Sequence, residues 1–127
     1  MADPAYLLDT NILVYLIADR SPTLRARVEQ CEPGLLATST LCVAEAGYGS
    51  RADPRVGPAL ERLLSVIAPL PFDVAAARRL AELPFSRGRL DRFVAAQALS
   101  SGLVIVTNNE RDFSDIPGLR IENWTKK

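Results

Sequence analysis

Five short apolar stretches, Tyr6–Leu8, Leu35–Thr38, Leu70–Phe72, Leu103–Thr107 and Leu119–Glu122, alternate along this chain with longer segments of helical period. Parallel strands need a crossover, usually a helix, so this alternation predicts a parallel sheet covered by helices on both faces. Val104-Ile105-Val106 is apolar at every position, as a strand buried on both faces should be. The expected architecture is α/β, with three α/β/α layers around a central, mainly parallel sheet of four to five short strands. With 127 residues, 48% of them hydrophobic, the chain has material for one such core and no room for a second, so residues 1–127 are read as a single domain.

Capping residues mark the expected helix starts: Ser21 before Pro22, Ser39 or Thr40 before Leu41, and Asp73 before Val74. Breaks are expected at Pro33-Gly34, Asp53-Pro54, Pro69 through Pro71, Pro84 and Pro117-Gly118. The clearest helix is Leu90–Leu99, whose small Ala95, Ala96 and Ala98 allow close approach to a sheet.

The chain contains no histidine. That removes Ser-His-Asp and Cys-His nucleophilic sites, and the imidazole-rich coordination typical of zinc and copper. Hard oxygen donors remain, and they suit Mg²⁺ or Mn²⁺. Four carboxylates stand out by position. Asp9 closes an apolar strand, Glu45 interrupts an apolar helix, and Asp91 and Asp112 open helices. Side chains at the carboxyl ends of strands in open α/β sheets face the functional crevice, and both Asp9 and the polar run Asn108–Asp112 follow strands.

Each carboxylate also has a plainer explanation. Asp9 could simply cap the helix that follows it. Asp91 could cap its own helix, favour the positive end of the helix dipole, or pair with Arg87 one turn back. Asp112 could form a surface pair with Arg111, with Glu110 as the ligand in its place. Glu45 has only Leu41, Cys42, Tyr48 and Gly49 at helical spacing, so no local base compensates it, and it must face water or meet a cation. If the four converge, a counter-charge is required: at an effective dielectric of about 20, two like charges about 4 Å apart repel by about 4 kcal/mol.

Formal net charge is zero, so binding to a polyanion would rest on a local patch. Thirteen of the fifteen basic residues are arginines, set in groups such as Arg87, Arg89 and Arg92, and arginine can grip phosphate bidentately. Equally, such groups can be solvated helix faces. Cys31 and Cys42 have neither Cys-x-x-Cys spacing nor a histidine partner, the start of the chain lacks a signal-peptide pattern, and no apolar run is long enough to span a membrane. A reduced, cytoplasmic protein without a membrane segment is expected.

Four separated stretches carry a resemblance. They are Leu8-Asp9-Thr10-Asn11-Ile12-Leu13, Val43-Ala44-Glu45 with Tyr48-Gly49, Asp91-Arg92-Phe93-Val94-Ala95-Ala96-Gln97-Ala98, and Val106-Thr107-Asn108-Asn109-Glu110-Arg111-Asp112-Phe113 with a closing Gly118–Trp124. In order and spacing the chain resembles the PIN-domain family, and most closely the VapC-type toxins of type II toxin–antitoxin pairs. That resemblance implies a PIN-like α/β/α fold and a Mg²⁺- or Mn²⁺-dependent endoribonuclease. It places Asp9, Glu45, Asp91 and Asp112 on the family's acidic positions, with Asp9 and Asp91 as direct metal ligands and Thr10, Asn11, Thr107 and Asn109 as supporting polar groups. It further implies an RNA substrate, a homodimer and a cognate VapB-type antitoxin that inserts an arginine or bulky side chain near the acidic cluster. One departure is the Leu80–Arg89 segment, which is shorter than the helix and loop common in that family.

Two other small α/β folds fit less well. A phosphate-accepting receiver domain needs a lysine near its site, but the only lysines are Lys126 and Lys127; a haloacid-dehalogenase-like phosphatase needs an aspartate where Asn11 stands. The alternative within the same fold is a degenerate domain that binds RNA or a protein partner without cutting.

Overall fold

A computed structural model describes residues 3–49, 51–84 and 89–127. Five strands, β1 (Tyr6–Leu8), β2 (Leu36–Ser39), β3 (Ala68–Leu70), β4 (Val104–Val106) and β5 (Ile121–Glu122), form one sheet in the order β3-β2-β1-β4-β5. Every pairing is parallel, with Leu7 opposite Ala37 on one side and Ile105 on the other. Helices α1 (Thr10–Ala18) and α2 (Pro22–Gln30) link β1 to β2, α3 (Thr40–Gly49) and α4 (Val56–Leu64) link β2 to β3, and α5 (Val74–Leu80) and α6 (Leu90–Ser101) link β3 to β4. Right-handed crossovers then place α1 to α4 on one face and α5 and α6 on the other. The packing agrees: α1 lies against α3 and α4, and α5 against α6. This is the expected three-layer α/β/α domain.

The core is built by β1 and β4. Leu7, Leu8, Ile105 and Val106 are fully buried, which both-face coverage demands, and Ile12, Leu13, Leu24, Phe113 and Trp124 close around them. Thr38, buried in β2, donates its hydroxyl to Leu8 O at 2.7 Å, so its polar atom is paired inside the sheet. Helix starts follow local chemistry as expected. Ser21 Oγ accepts from Leu24 N at 3.1 Å ahead of Pro22, Ser39 Oγ from Leu41 N at 3.0 Å, and Asp73 Oδ1 from Ala76 N at 2.9 Å.

Two readings need correction. The third strand is Ala68–Leu70, two residues earlier than expected, and it contains Pro69 where a break was foreseen. It pairs only with β2, and an edge strand can carry proline on its unpaired side. Asp112 does not open a helix: it closes a single 3₁₀ turn, Glu110–Asp112. The pairing of Asp91 with Arg87 and part of the link between α5 and α6 involve residues 85–88, outside the described residues. Among the described residues no helix is long and apolar enough to cross a membrane.

Candidate active site

From β1 the chain crosses to β2 and β3 on one side, then returns past β1 to β4 on the other. The carboxyl ends of β1 and β4 therefore flank the point where strand order reverses, the place where open parallel sheets form a crevice. A cleft of about 430 Å³ opens there. Asp9, Thr10, Asn11, Glu45, Asp91, Asn109 and Asp112 line it together with apolar Val14, Leu90, Val94 and Phe113. All four carboxylates singled out in the sequence thus border one space.

Asp9 leaves β1 with extended backbone and caps α1, its Oδ1 accepting from Ile12 N at 3.1 Å, while its own N–H donates to Val106 O at 3.1 Å. The capping and cleft readings of Asp9 are both true. It is only 9% exposed. Burial pushes its carboxyl up to about 6, against the pull of hydrogen bonds from Thr107 and Ile12 and with further upward pressure from the negative charges of Asp91 and Glu45. Thr107 is fully buried behind the cleft, and its Oγ1 also accepts from Asn109 N at 3.0 Å, fixing the turn that follows β4.

Asp91 sits in the first turn of α6, half-buried, and burial raises its carboxyl although Arg89 opposes the shift. Asp112 is held on both oxygens: Asn109 Nδ2 donates to Oδ2 at 2.6 Å, and Arg89 Nη2 lies 3.0 Å from Oδ1. The same Arg89 nitrogen lies 2.9 Å from Asp91 Oδ2. Glu45 projects from α3 into the cleft, exposed, with no ion pair among the described residues. Glu110 is not a substitute ligand, since its carboxylate pairs with Lys126 at 2.8 Å and accepts from Asn123 at 3.1 Å, and it does not border the cleft. Asp112 likewise pairs with Arg89, not with Arg111.

Sequence reading missed two contributors. Arg89 is legible in the sequence as a base close before Asp91, but its pairing with both Asp91 and Asp112 is not. Cys42 lines the cleft wall as a buried thiol, pushed up to about 11 chiefly by burial, so it is neutral and unreactive there.

The donor set is all oxygen, carboxylate and amide, which matches a hard divalent cation. Asp9 and Asp91 could hold such an ion, with Asp112 and Glu45 at its margin. Among the described residues no three carboxylate or thiol groups are drawn in tightly enough to ligate one ion as they stand. The Arg89 guanidinium stands between Asp91 and Asp112, with Nη2 close to an oxygen of each. An arginine in that place shows that the cleft demands positive charge, and so the residues fit a metal ion.

A sequence model of the PIN domain matches residues 6–119. The chain belongs to the PIN-domain family. As a PIN domain it is 32% identical over 130 residues to the tRNA(fMet)-specific endonuclease VapC of Shigella flexneri, covering 94% of this chain and 98% of that protein. It is 34% identical over 129 residues to ribonuclease VapC2 of Haemophilus influenzae, covering 94% and 97%. Solved structures agree. VapBC2 from Rickettsia felis, bound to a promoter DNA fragment, aligns with TM-score 0.84 at 27% identity over 94% of this chain and 98% of that one. DNA-bound VapBC from Salmonella typhimurium aligns with TM-score 0.81 at 32% identity over 95% and 98%.

Proposed function

We propose that this PIN domain is a metal-dependent endoribonuclease, the toxin of a VapBC-type toxin–antitoxin pair. The observation that carries the reading is the placing of Asp9, Glu45, Asp91 and Asp112 around one cleft at the β1/β4 switch point. The ribonuclease names of its relatives, at 32 and 34% identity over nearly the whole chain, support RNA as substrate. Asp9 and Asp91 would hold Mg²⁺ or Mn²⁺. When bound, the ion supplies Lewis acidity that makes water a better nucleophile and offsets charge gathering on the phosphodiester.

The chain's own residues do the rest. Glu45, exposed and without a cationic partner among the described residues, is the group able to orient the attacking water and take its proton. Asn109 fixes Asp112 and Thr107 fixes Asp9, so neither carboxylate must be ordered when substrate arrives. Thr10 and Asn11, at the start of α1, offer hydrogen bonds to substrate oxygens or waters. The exposed guanidiniums of Arg51 and Arg111 are available for RNA phosphates.

The test is cleavage of tRNA, rRNA and mRNA with Mg²⁺ or Mn²⁺, set beside EDTA and Asp9→Asn. Loss of cleavage in both controls with RNA binding retained supports the nuclease. No cleavage of any of these RNAs by the unaltered protein favours a binding module instead.

The solved neighbours are toxin–antitoxin complexes, which supports a VapB-type antitoxin as partner. Its co-expression should relieve growth arrest, and arrest that persists counts against the pairing. A homodimer is part of the same reading, and light scattering that finds a monomer at high concentration would remove it.

A further inference from the structure

We infer that Arg89 is the protein's own counter-cation for the acidic cleft, and that a divalent ion held by Asp9 and Asp91, with Asp112 at its margin, must displace it; the inference rests on the metal-dependent reading above. A single guanidinium nitrogen, Nη2, lies 2.9 Å from Asp91 Oδ2 and 3.0 Å from Asp112 Oδ1. Those two carboxylates come from different elements, the first turn of α6 and the 3₁₀ turn after β4, so Arg89 ties together two walls of the cleft.

The placement follows from the backbone. Arg89 stands at the N-cap position of α6 with extended φ and ψ of −102° and 110° and makes no side-chain cap bond, so its side chain is left to turn toward the carboxylates. Neighbouring Asn109 donates to the other oxygen of Asp112 at 2.6 Å, holding that acceptor toward the guanidinium.

Arg89 Nη2 stands between these two oxygens, where it repels a divalent ion and competes with it for their lone pairs. The arrangement is also reversible. The Arg89 side chain is 42% exposed and its partners are 33% and 31% exposed, so it can leave for water without abandoning a buried charge. Metal affinity is therefore set by the difference between two cations, one of them built into the chain, and Arg89 keeps the cleft electrostatically quenched until metal concentration exceeds a threshold. Arg92, next along the chain, cannot take this part, because its guanidinium turns to Asp115 at 2.7 Å.

Mn²⁺ alone, titrated calorimetrically into the full chain, tests this. Arg89→Gln should bind Mn²⁺ about tenfold more tightly than the parent, equivalent to about 1.4 kcal/mol. Arg55→Gln, which removes an exposed pair with Asp53 outside the cleft, should leave the affinity unchanged. A second readout needs no substitution: the Nε–H resonance of Arg89 should shift as Mg²⁺ is added. Mn²⁺ binding by the parent with no tightening in Arg89→Gln, or an unmoved Nε–H resonance, overturns the role of Arg89 alone. Absence of Mn²⁺ binding in both proteins overturns the metal reading and this inference with it.

Discussion

Arg92 of α6 donates Nη2 to Asp115 Oδ2 at 2.7 Å, fastening the helix that carries Asp91 to the loop that follows Asp112. The two ends of this bond are unequally exposed, the Arg92 side chain 11% and the Asp115 side chain 56%. Arg92 Nε and Nη1 are buried without hydrogen-bond partners among the described residues, so Asp115 alone compensates the charge, and Arg92 in turn holds the Asp115 carboxyl below its ordinary range.

Removing Asp115 should therefore cost more than removing the pair. Asp115→Ala leaves a buried guanidinium uncompensated and is expected to lose about 2 kcal/mol, less than a fully buried pair because one partner faces water. Arg92→Met combined with Asp115→Ala takes away the stranded charge while keeping volume, and should recover at least half of that loss in urea unfolding. A double variant no more stable than Asp115→Ala contradicts the account.

Asp9 makes stability fall as pH rises through the acid range. Its folded carboxyl titrates at about 6 against an ordinary 3.8. Below the lower value both states carry the proton; between the two, the folded state keeps a proton that the unfolded state has lost, so folding weakens with each step upward. Above the upper value both are ionised, and the full penalty, at most about 3 kcal/mol, is present. Asparagine keeps the cap on α1 without the charge. In EDTA, Asp9→Asn should match the parent at pH 4 and exceed it at pH 7, and equal denaturation midpoints at both pH values would refute the burial penalty.

Glu45 should separate activity from stability. Exposed, and unpaired among the described residues, it contributes little to folding, so Glu45→Gln should stay within about 0.5 kcal/mol of the parent. RNA cleavage should nevertheless drop by about 10²-fold or more as proton transfer fails. Cleavage at the parental rate would take Glu45 out of the reaction.

Gly102 ends α6 in the left-handed region at φ 69°, and a Cβ there would meet no heavy atom within 4 Å. The cost of Gly102→Ala is then backbone strain alone, about 1 kcal/mol, with Gly102→Asn closer to the parent. Thermal unfolding checks the order, and an alanine variant melting with the parent would show that the turn relaxes out of that region.

Local chemistry made much of this molecule legible in its residues. Alternating apolar runs announce a parallel sheet because only a twice-covered strand tolerates Leu7-Leu8 and Ile105-Val106 side by side. Ser21, Asp73 and Asp9 mark helix starts because a side-chain oxygen must meet the first free N–H groups. The four cleft carboxylates could be named in advance from position: Asp9 closes an apolar strand, Glu45 has no base at helical spacing, and Asp91 and Asp112 belong to stretches that carry the family resemblance.

Other features depend on what lies across space. Pro69 fits a strand only because β3 forms the sheet edge. Asp9, the cap, becomes a cleft residue with a raised carboxyl only once α3 and α6 close over it and exclude water. Arg89 was one arginine among thirteen in the sequence. Its hold on both Asp91 and Asp112 was decided by the tertiary fold, because the strength of an ion pair depends on distance and solvent, and spacing along a chain specifies neither.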